Sequence, residues 1–395
     1  MAGGTGRVLG FALKAASTLG TFLRSFSWGH VRQLDAVSRE LLARAWAAGA
    51  GPGDAPLTID LDSTICETYG LAKQGAVHHT YTHVRGYHPL LAIAAGTGDV
   101  LMARLREGRA NTARGAAHFL RETIGRVRGA GATGQLTVRA DAGFYAHAVV
   151  AVCRTLGVHF SITIRMSPAI RRLIEAIPED AWIPSPYWLE GGADVAETTY
   201  TPFAHQKDAK PVRLIVRRVR PTPGSQLALL TRYDYPAFIT DRDGETLALE
   251  AEQRRHAEVE NAIRDLKYGV GLNHLPSGRF AANGAWLAVQ VIAHNLARWT
   301  ARIGIGEHPT LRLIHLPIHA SWLNQVEIYF SILERKVLTP AAAASLDELA
   351  ARILAFQDRY EILAQPFEWK FTRADLTRFV ERLAVRGCGP LQKAA

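Results

Sequence analysis

The sequence predicts a mixed α/β sheet flanked by helices, with a β-rich insertion ahead of a long helix. Three observations lead there. Between residues 57 and 166 the pattern runs strand, strand, strand, helix, strand, helix, strand. Two of those strands, in LTIDLD and QLTVRAD, end in aspartates. Residues 167–250 then lose the rhythm and become rich in Pro, Trp and Gly, before helical spacing resumes at about 248–268 and 283–303.

Residues 1–50 read as helical, with apolar spacings of three and four and with Gly49 and Gly51 to stop the run. AGAGPGDAP is a linker. In LTIDLD, Leu57, Ile59 and Leu61 share one strand face, while Thr58, Asp60 and Asp62 share the other. YHPLLAIAAG and DVLMARLREG are two further strands joined by the turn GTGD. NTARGAAHFLRETIGRVRG is a helix with Asn111 or Thr112 as its N-cap. QLTVRADAGFY is a strand ending in Asp141; a helix to about Leu156 and the strand HFSITIRM follow. In the insertion, VRLIVRRVR and AFITDRDGE are strand-like. The last 90 residues hold the strand-like LRLIHLPIH and two helices. Repeats and low-complexity tracts are absent from the sequence.

The 395-residue chain carries a net charge of +10 and a pI near 9.7. Much of the excess lies in residues 1–130, with 15 Lys and Arg against 9 Asp and Glu. A basic front suits a polyphosphate partner, although arginine-rich composition alone produces the same balance. No run of 18 apolar residues suggests a membrane span, and the N-terminus lacks a secretory signal pattern. Cys66, Cys153 and Cys388 are odd in number and far apart, which argues against a disulfide framework or structural zinc. A cytoplasmic protein without a membrane partner is the expectation.

Two chemistries compete for the aspartates of DLDST. D-x-D-x-T at a strand end is similar to motif one of the haloacid-dehalogenase phosphatases, with Asp60 as nucleophile and Asp62 as acid. That family also wants a later lysine and a closing acidic pair on a loop; the chain has only eight lysines, and after VRADAGFY no second aspartate sits nearby. The other chemistry needs distant carboxylates. Asp62 and Asp141 end strands that can be neighbours, and HAEVENAIRDLKYGVG offers Glu260 with Lys267 seven residues on along the same helix face. Three such carboxylates can hold two Mg²⁺ ions about 4 Å apart for phosphodiester chemistry, with Lys267 gripping a phosphate.

At these residues the chain resembles the insertion-sequence transposases of the DDE type, in the branch with a Y-R-E-K signature on its last catalytic helix. IDLDSTICETYG, RGYHPLLAIAAGTGDVLMARLREGRANTARGA, VRADAGFY and ENAIRDLKYGVGLNHLPSGRFAANGAWLAVQVIAHNLARWT carry the resemblance. It implies an RNase H-like catalytic domain over residues 55–306, its β-rich insertion at about 167–250, after a shortened helical region at 1–54. It also implies DNA transposition: cleavage at element ends and strand transfer, with Mg²⁺ as cofactor and Mn²⁺ as a substitute. Asp62, Asp141 and Glu260 would be the catalytic metal ligands, Lys267 would assist, and Asp60 would either support those ligands from behind or be structural. The signature's tyrosine and arginine fall at Gln253 and His256. His256, Arg104, Arg106, Arg109, Arg217 and Arg218 are the expected DNA contacts. The partners would be double-stranded DNA, as terminal repeats and target, and a second copy in a homodimeric synaptic complex at the bacterial nucleoid.

Residues 307–395 resemble a second group, the mariner-type superfamily, through LRLIHLPIHASWLNQVEIYFSILERKVLTP. There Glu327 corresponds to a third acid, but no aspartate occurs between Asp265 and Asp347 to partner it. The tail therefore reads as a fused passenger, and a DNA-binding remnant without activity is the alternative for the whole chain. HHTYTH at 78–83 lacks neighbouring acids or cysteines at metal-ligand spacing. Arg213, Arg217, Arg218 and Arg220 read either as a DNA-facing stripe or as a solvated edge strand. Trp322, Tyr329, Phe330 and Leu333 have the spacing of a helix core.

Overall fold

The computed structural model describes residues 16–68, 72–78, 83–186, 192–220 and 233–304, with 348, 351 and 354–356 beyond them. The chain divides into two compact units, Met1–Arg312 and Leu313–Ala395. In the second, the described residues are helical. Glu327, LRLIHLPIH and the aromatic run from Trp322 lie outside the described residues.

The first unit begins with α1 (Ala16–Arg24) and α2 (Trp28–Ala45). Ser27 and His30 cap α2 reciprocally, the Ser27 backbone N–H donating to His30 Nδ1 at 3.0 Å. As the glycines predict, the helical run loosens over Trp46–Ala50, where Gly49 takes φ 98°.

A nine-stranded sheet follows. Its first five members are β1 (Leu57–Ser63), β5 (Leu90–Ala94), β6 (Val100–Arg104), β7 (Leu136–Ala140) and β8 (His159–Thr163). They lie in the order β6-β5-β1-β7-β8. β1 pairs antiparallel with β5 and parallel with β7, and β7 pairs parallel with β8. That order and polarity make an RNase H-like core. Three short strands, β2 (Cys66–Glu67), β3 (Val77–His78) and β4 (Arg85–Tyr87), form a separate small sheet between β1 and β5 in sequence.

Alternation along β1 decides what each face meets. Ile59 and Leu61 join Val138 and Ala140 of β7 in the main core, beneath α3 (Ala116–Gly129) and α4 (His147–Thr155). Phe119, Leu120, Ile124 and Val150 fill that layer from the helices, each large side chain contributing about 1.5–3 kcal/mol through burial. α3 starts later than the sequence suggests. Gly115, at φ 76°, is its N-cap, and Asn111 instead accepts the Ala113 N–H at 2.9 Å in a local turn. The left-handed glycine breaks the helical path that the apolar spacing alone would start at residue 111.

The insertion extends the same sheet. β9 (Ile183–Pro184), β10 (Ala193–Tyr200), β11 (Val212–Val219) and β12 (Ala237–Thr240) continue it as β8-β12-β11-β10-β9, all antiparallel. A short helix, α5 (Pro168–Glu175), precedes them, capped by Ser167. The arginine-bearing strand β11 is therefore interior, flanked by β10 and β12, and the solvated-edge reading of Arg213 to Arg220 is corrected. It is buried on both faces, Val212, Leu214 and Val216 joining the main core and Ile215 a second apolar cluster.

The other face of the core sheet is covered by one long, unevenly wound helical run. It comprises α6 (Thr246–Arg254), a 3₁₀ turn (Arg255–Glu258), α7 (Val259–Arg264) and a π turn (Asp265–Gly269). α8 (Phe280–Trp299) packs beside it, with Leu287 and Val291 joining Val259, Ile263 and Leu266 over Leu91 and Ile93 of β5. Asn295 accepts the Val100 N–H and donates to the Val100 carbonyl, each at 2.8 Å, which pairs backbone groups on edge strand β6. Among the described residues, no helix is long and apolar enough to cross a membrane.

Candidate active site

The register of β1 and β7 brings the strand-end aspartates together. Asp60 lies opposite Arg139 and Leu61 opposite Ala140, so Asp62 and Asp141 are the next step along the two parallel strands. Both belong to the polar face, the one that turns away from the Ile59 and Leu61 core. Asp141 directly follows β7, and its Oδ1 accepts the Gly143 N–H at 3.0 Å, capping the turn Ala142–Phe144.

The helical run crosses this face and is tied to it by side chains. Asp60 receives Arg139 through Nε at 2.6 Å and Nη2 at 2.8 Å. The Nη1 of Arg139 donates to the Glu252 carbonyl on the last turn of α6. Gln253 donates to Thr163 Oγ1 on β8 at 3.1 Å, and His256 Nδ1 donates to Asp60 Oδ1 at 3.0 Å. Glu260, on α7, stands one turn beyond His256 and is exposed. Lys267 falls in the π turn and is half-buried. Its charge reaches Cys66 on β2, although burial dominates there and pushes that thiol up to about 12.

Electrostatics link the three acids. Burial above all, with a smaller contribution from the negative charges of Asp141 and Glu260, raises the Asp62 carboxyl to about 6. The Ser63 N–H, donating to Asp62 Oδ1 at 2.6 Å, and the nearby His256 pull the other way and do not cancel the shift. The result is a pocket of excess negative charge at the end of β1. Its donors are hard carboxylate oxygens, the set that suits Mg²⁺ or Mn²⁺. They do not form a closed cage: among the described residues, no group of three His, Cys, Asp or Glu side chains stands ready to hold an ion. Asp60, 1 % exposed and accepting three hydrogen bonds from Arg139 and His256, lacks the exposure of a phosphate-attacking nucleophile.

A support beneath the strand ends has no signal in local sequence. His88 is 4 % exposed, its Nδ1 2.8 Å from the Ala110 carbonyl and its Nε2 2.9 Å from Ser63 Oγ. A carbonyl only accepts, so Nδ1 carries a proton; in the neutral ring Nε2 then accepts the Ser63 hydroxyl. Arg106 gathers the loop around it, donating to the carbonyls of His88 (2.9 Å), Asn111 (2.9 Å), Thr112 (3.2 Å) and Arg114 (3.0 Å). Burial and the neighbouring Arg114 lower this guanidinium to about 10. The same loop supports Asp141: a Cβ on Gly143 would come within 2.9 Å of the Thr112 side chain and 3.1 Å of Asp141 Oδ1.

Of the other expected DNA contacts, Arg104, Arg217 and Arg218 are paired within the fold. Arg104 pairs with Glu122 and lies 5.7 Å from the centre of the Phe119 ring. Arg217 is 3.5 Å from Glu250. Arg218 bonds Asp194 and Glu179, each at 2.7 Å, and stacks over Trp182 at 4.5 Å. Arg109 is 68 % exposed, with a loose 3.5 Å pairing to Glu107, and of these four it is the most available to solvent.

No curated protein matches the chain in sequence. Among solved structures, it is similar to a piggyBac transposase in a synaptic complex with hairpin DNA, with a TM-score of 0.35 and 11 % identity. That similarity covers 73 % of this chain and 63 % of the other, so this chain spans less than two thirds of its length. The family profile of transposase DDE domain group 1 matches residues 4–313, most of the chain and nearly all of the first compact unit. A strand-end pair of aspartates on an RNase H-like sheet, faced by a glutamate-bearing helix, thus sits within a profile match of that extent, and the chain belongs to the DDE transposase domain family, group 1.

Proposed function

We propose that this transposase cleaves double-stranded DNA at the ends of its element and transfers the freed 3′-hydroxyl to target DNA, with Asp62, Asp141 and Glu260 as the catalytic acids. The observation that carries this reading is the placement of Asp62 and Asp141 at adjacent ends of the parallel strands β1 and β7, with Glu260 near enough for its charge to act on Asp62. Carboxylates that repel one another at an accessible strand end are a cost to folding that a bound dication would offset. Asp62, Asp141 and Glu260 would hold Mg²⁺ or Mn²⁺, which when bound lowers the proton affinity of a nucleophilic oxygen and offsets charge on the phosphate.

Around that centre the chain's own residues orient and bind. The Ser63 N–H fixes one oxygen of Asp62, and the Gly143 N–H fixes one of Asp141. Lys267 supplies a positive charge near the site for a phosphate or DNA terminus. Arg109 is the best candidate among the expected arginines for a phosphate backbone contact, because it alone of those compared is largely solvent-exposed. A second copy of the chain would bring two element ends together, as the family resemblance implies. Residues 55–306 would form the catalytic domain, and 307–395 a fused segment without its own active site.

The test is cleavage of DNA carrying the element's terminal repeats in Mg²⁺ or Mn²⁺, comparing wild type with Asp62→Asn, Glu260→Gln and Glu327→Gln. Loss in the first two and retention in the third is expected. A folded, DNA-binding wild type that leaves this DNA intact would instead identify an inactive remnant.

A further inference from the structure

Asp60 and Arg139 form a buried ion pair that takes no part in the chemistry proposed above. Asp60 is 1 % exposed and Arg139 5 %. They are cross-strand partners in register, so the pair is anchored on two strands rather than on a loop. The carboxylate accepts three hydrogen bonds: Arg139 Nε and His256 Nδ1 on Oδ1, and Arg139 Nη2 on Oδ2. Arg139's remaining nitrogen donates to the Glu252 carbonyl. The helical run is thereby held at Glu252 and at His256, four residues apart. Two attachments one turn apart fix both where a helix lies and how it is rotated about its axis. Apolar contacts along the same run, such as Val259 and Leu266 against β5, resist separation but are non-directional.

We propose that Asp60, Arg139 and His256 are a clamp that positions Glu260 relative to Asp62. They are positioning residues rather than catalytic ones. Glu260 follows His256 by four positions on the same unbroken helical run, close enough for its charge to act on Asp62. A rotation of the helix that released His256 would also swing Glu260 away from the end of β1. Buried ion pairs add little net stability compared with well-packed apolar residues, so a directional role gives this one a reason to exist. It also accounts for a histidine where the family signature has an arginine: here the position faces inward, to Asp60. The proposal rests on the reading of Glu260 as the third acid.

The test uses the full-length protein with His256→Leu, His256→Asn and, as a control, Asp62→Asn. Leucine removes the donor and keeps bulk, whereas an asparagine amide can donate from the place of Nδ1. Three quantities are read: Mn²⁺ affinity of the DNA-free protein by calorimetry, DNA affinity without metal, and single-turnover cleavage. His256→Leu should weaken Mn²⁺ binding and slow cleavage by about tenfold or more. It should leave metal-free DNA affinity unchanged, and His256→Asn should return both losses to near wild type. Wild-type Mn²⁺ affinity in His256→Leu, no rescue by asparagine, or a loss of metal-free DNA binding would each overturn the clamp. Asp62→Asn separates the two ideas. If it keeps Mn²⁺ binding and cleavage, the three-acid site itself is wrong; if it loses both while His256→Leu behaves as wild type, only the clamp is wrong.

Discussion

Asp60 and Asp62 are two residues apart on one strand face, yet they live in opposite electrical surroundings. Asp60 is enclosed by a guanidinium and an imidazole, with three hydrogen bonds on its oxygens. Asp62 has one backbone N–H and the repulsion of two other acids. A charge whose partners are all supplied by the fold belongs to the architecture. A buried charge that the fold leaves without a cation is where the proposed metal site falls. The local sequence DLD contains both roles and does not distinguish them.

Substitutions should widen that contrast. Asp60→Ala leaves Arg139 buried without its carboxylate, and should cost about 3–5 kcal/mol in urea or guanidinium unfolding. A smaller loss, about 2 kcal/mol, is expected for Arg106→Ala, which removes a donor from four loop carbonyls while water replaces part of the bonding.

Asp62 should behave in the reverse sense. Burial above all keeps a proton on its carboxyl up to about pH 6 in the folded chain, against 3.8 for a free aspartate. Between those values the native state binds more protons than the unfolded state, so metal-free stability should fall as pH rises from about 4 to about 6. Asp62→Asn should remove that slope, matching wild type at pH 4 and exceeding it at pH 7. A wild-type curve that rises through this window would contradict the crowded-carboxylate picture. The smallest effect should be Arg109→Ala, within about 0.5 kcal/mol in stability, with any loss confined to salt-dependent DNA binding.

Much of the core was legible because alternation and strand order are local signals. LTIDLD shows which side chains share a face, and QLTVRAD ends at the matching step on the parallel partner. What escaped was set by distant partners. The contacts of Asp60 come from residues 79 and 196 positions away, and those of Arg218 from two other elements. Gly115 displaced the start of α3 through a backbone angle that apolar periodicity does not encode. The insertion's arginines carry positive charge in the composition, but burial beside Glu250 and Asp194 decides what that charge meets. His88 reads as one histidine among fifteen until the loop folds it under Ser63.

The helical run from Thr246 to Gly269 changes winding three times, and each change alters the pointing of every side chain beyond it. A 3₁₀ residue advances about 120° around the axis against about 100° in an α-helix. The four residues Arg255–Glu258 therefore turn Glu260 roughly 80° ahead of where uniform winding from α6 would leave it. The segment works like a vernier between a fixed end and an aimed one. With its fixed end tied to the sheet at Glu252 and His256, small changes of pitch in one turn re-aim an acid without shifting the axis. In such an arrangement the substitutions that alter aim most need not touch the acid: a residue that favours α over 3₁₀ winding at Ala257, just beyond the tie at His256, would be enough.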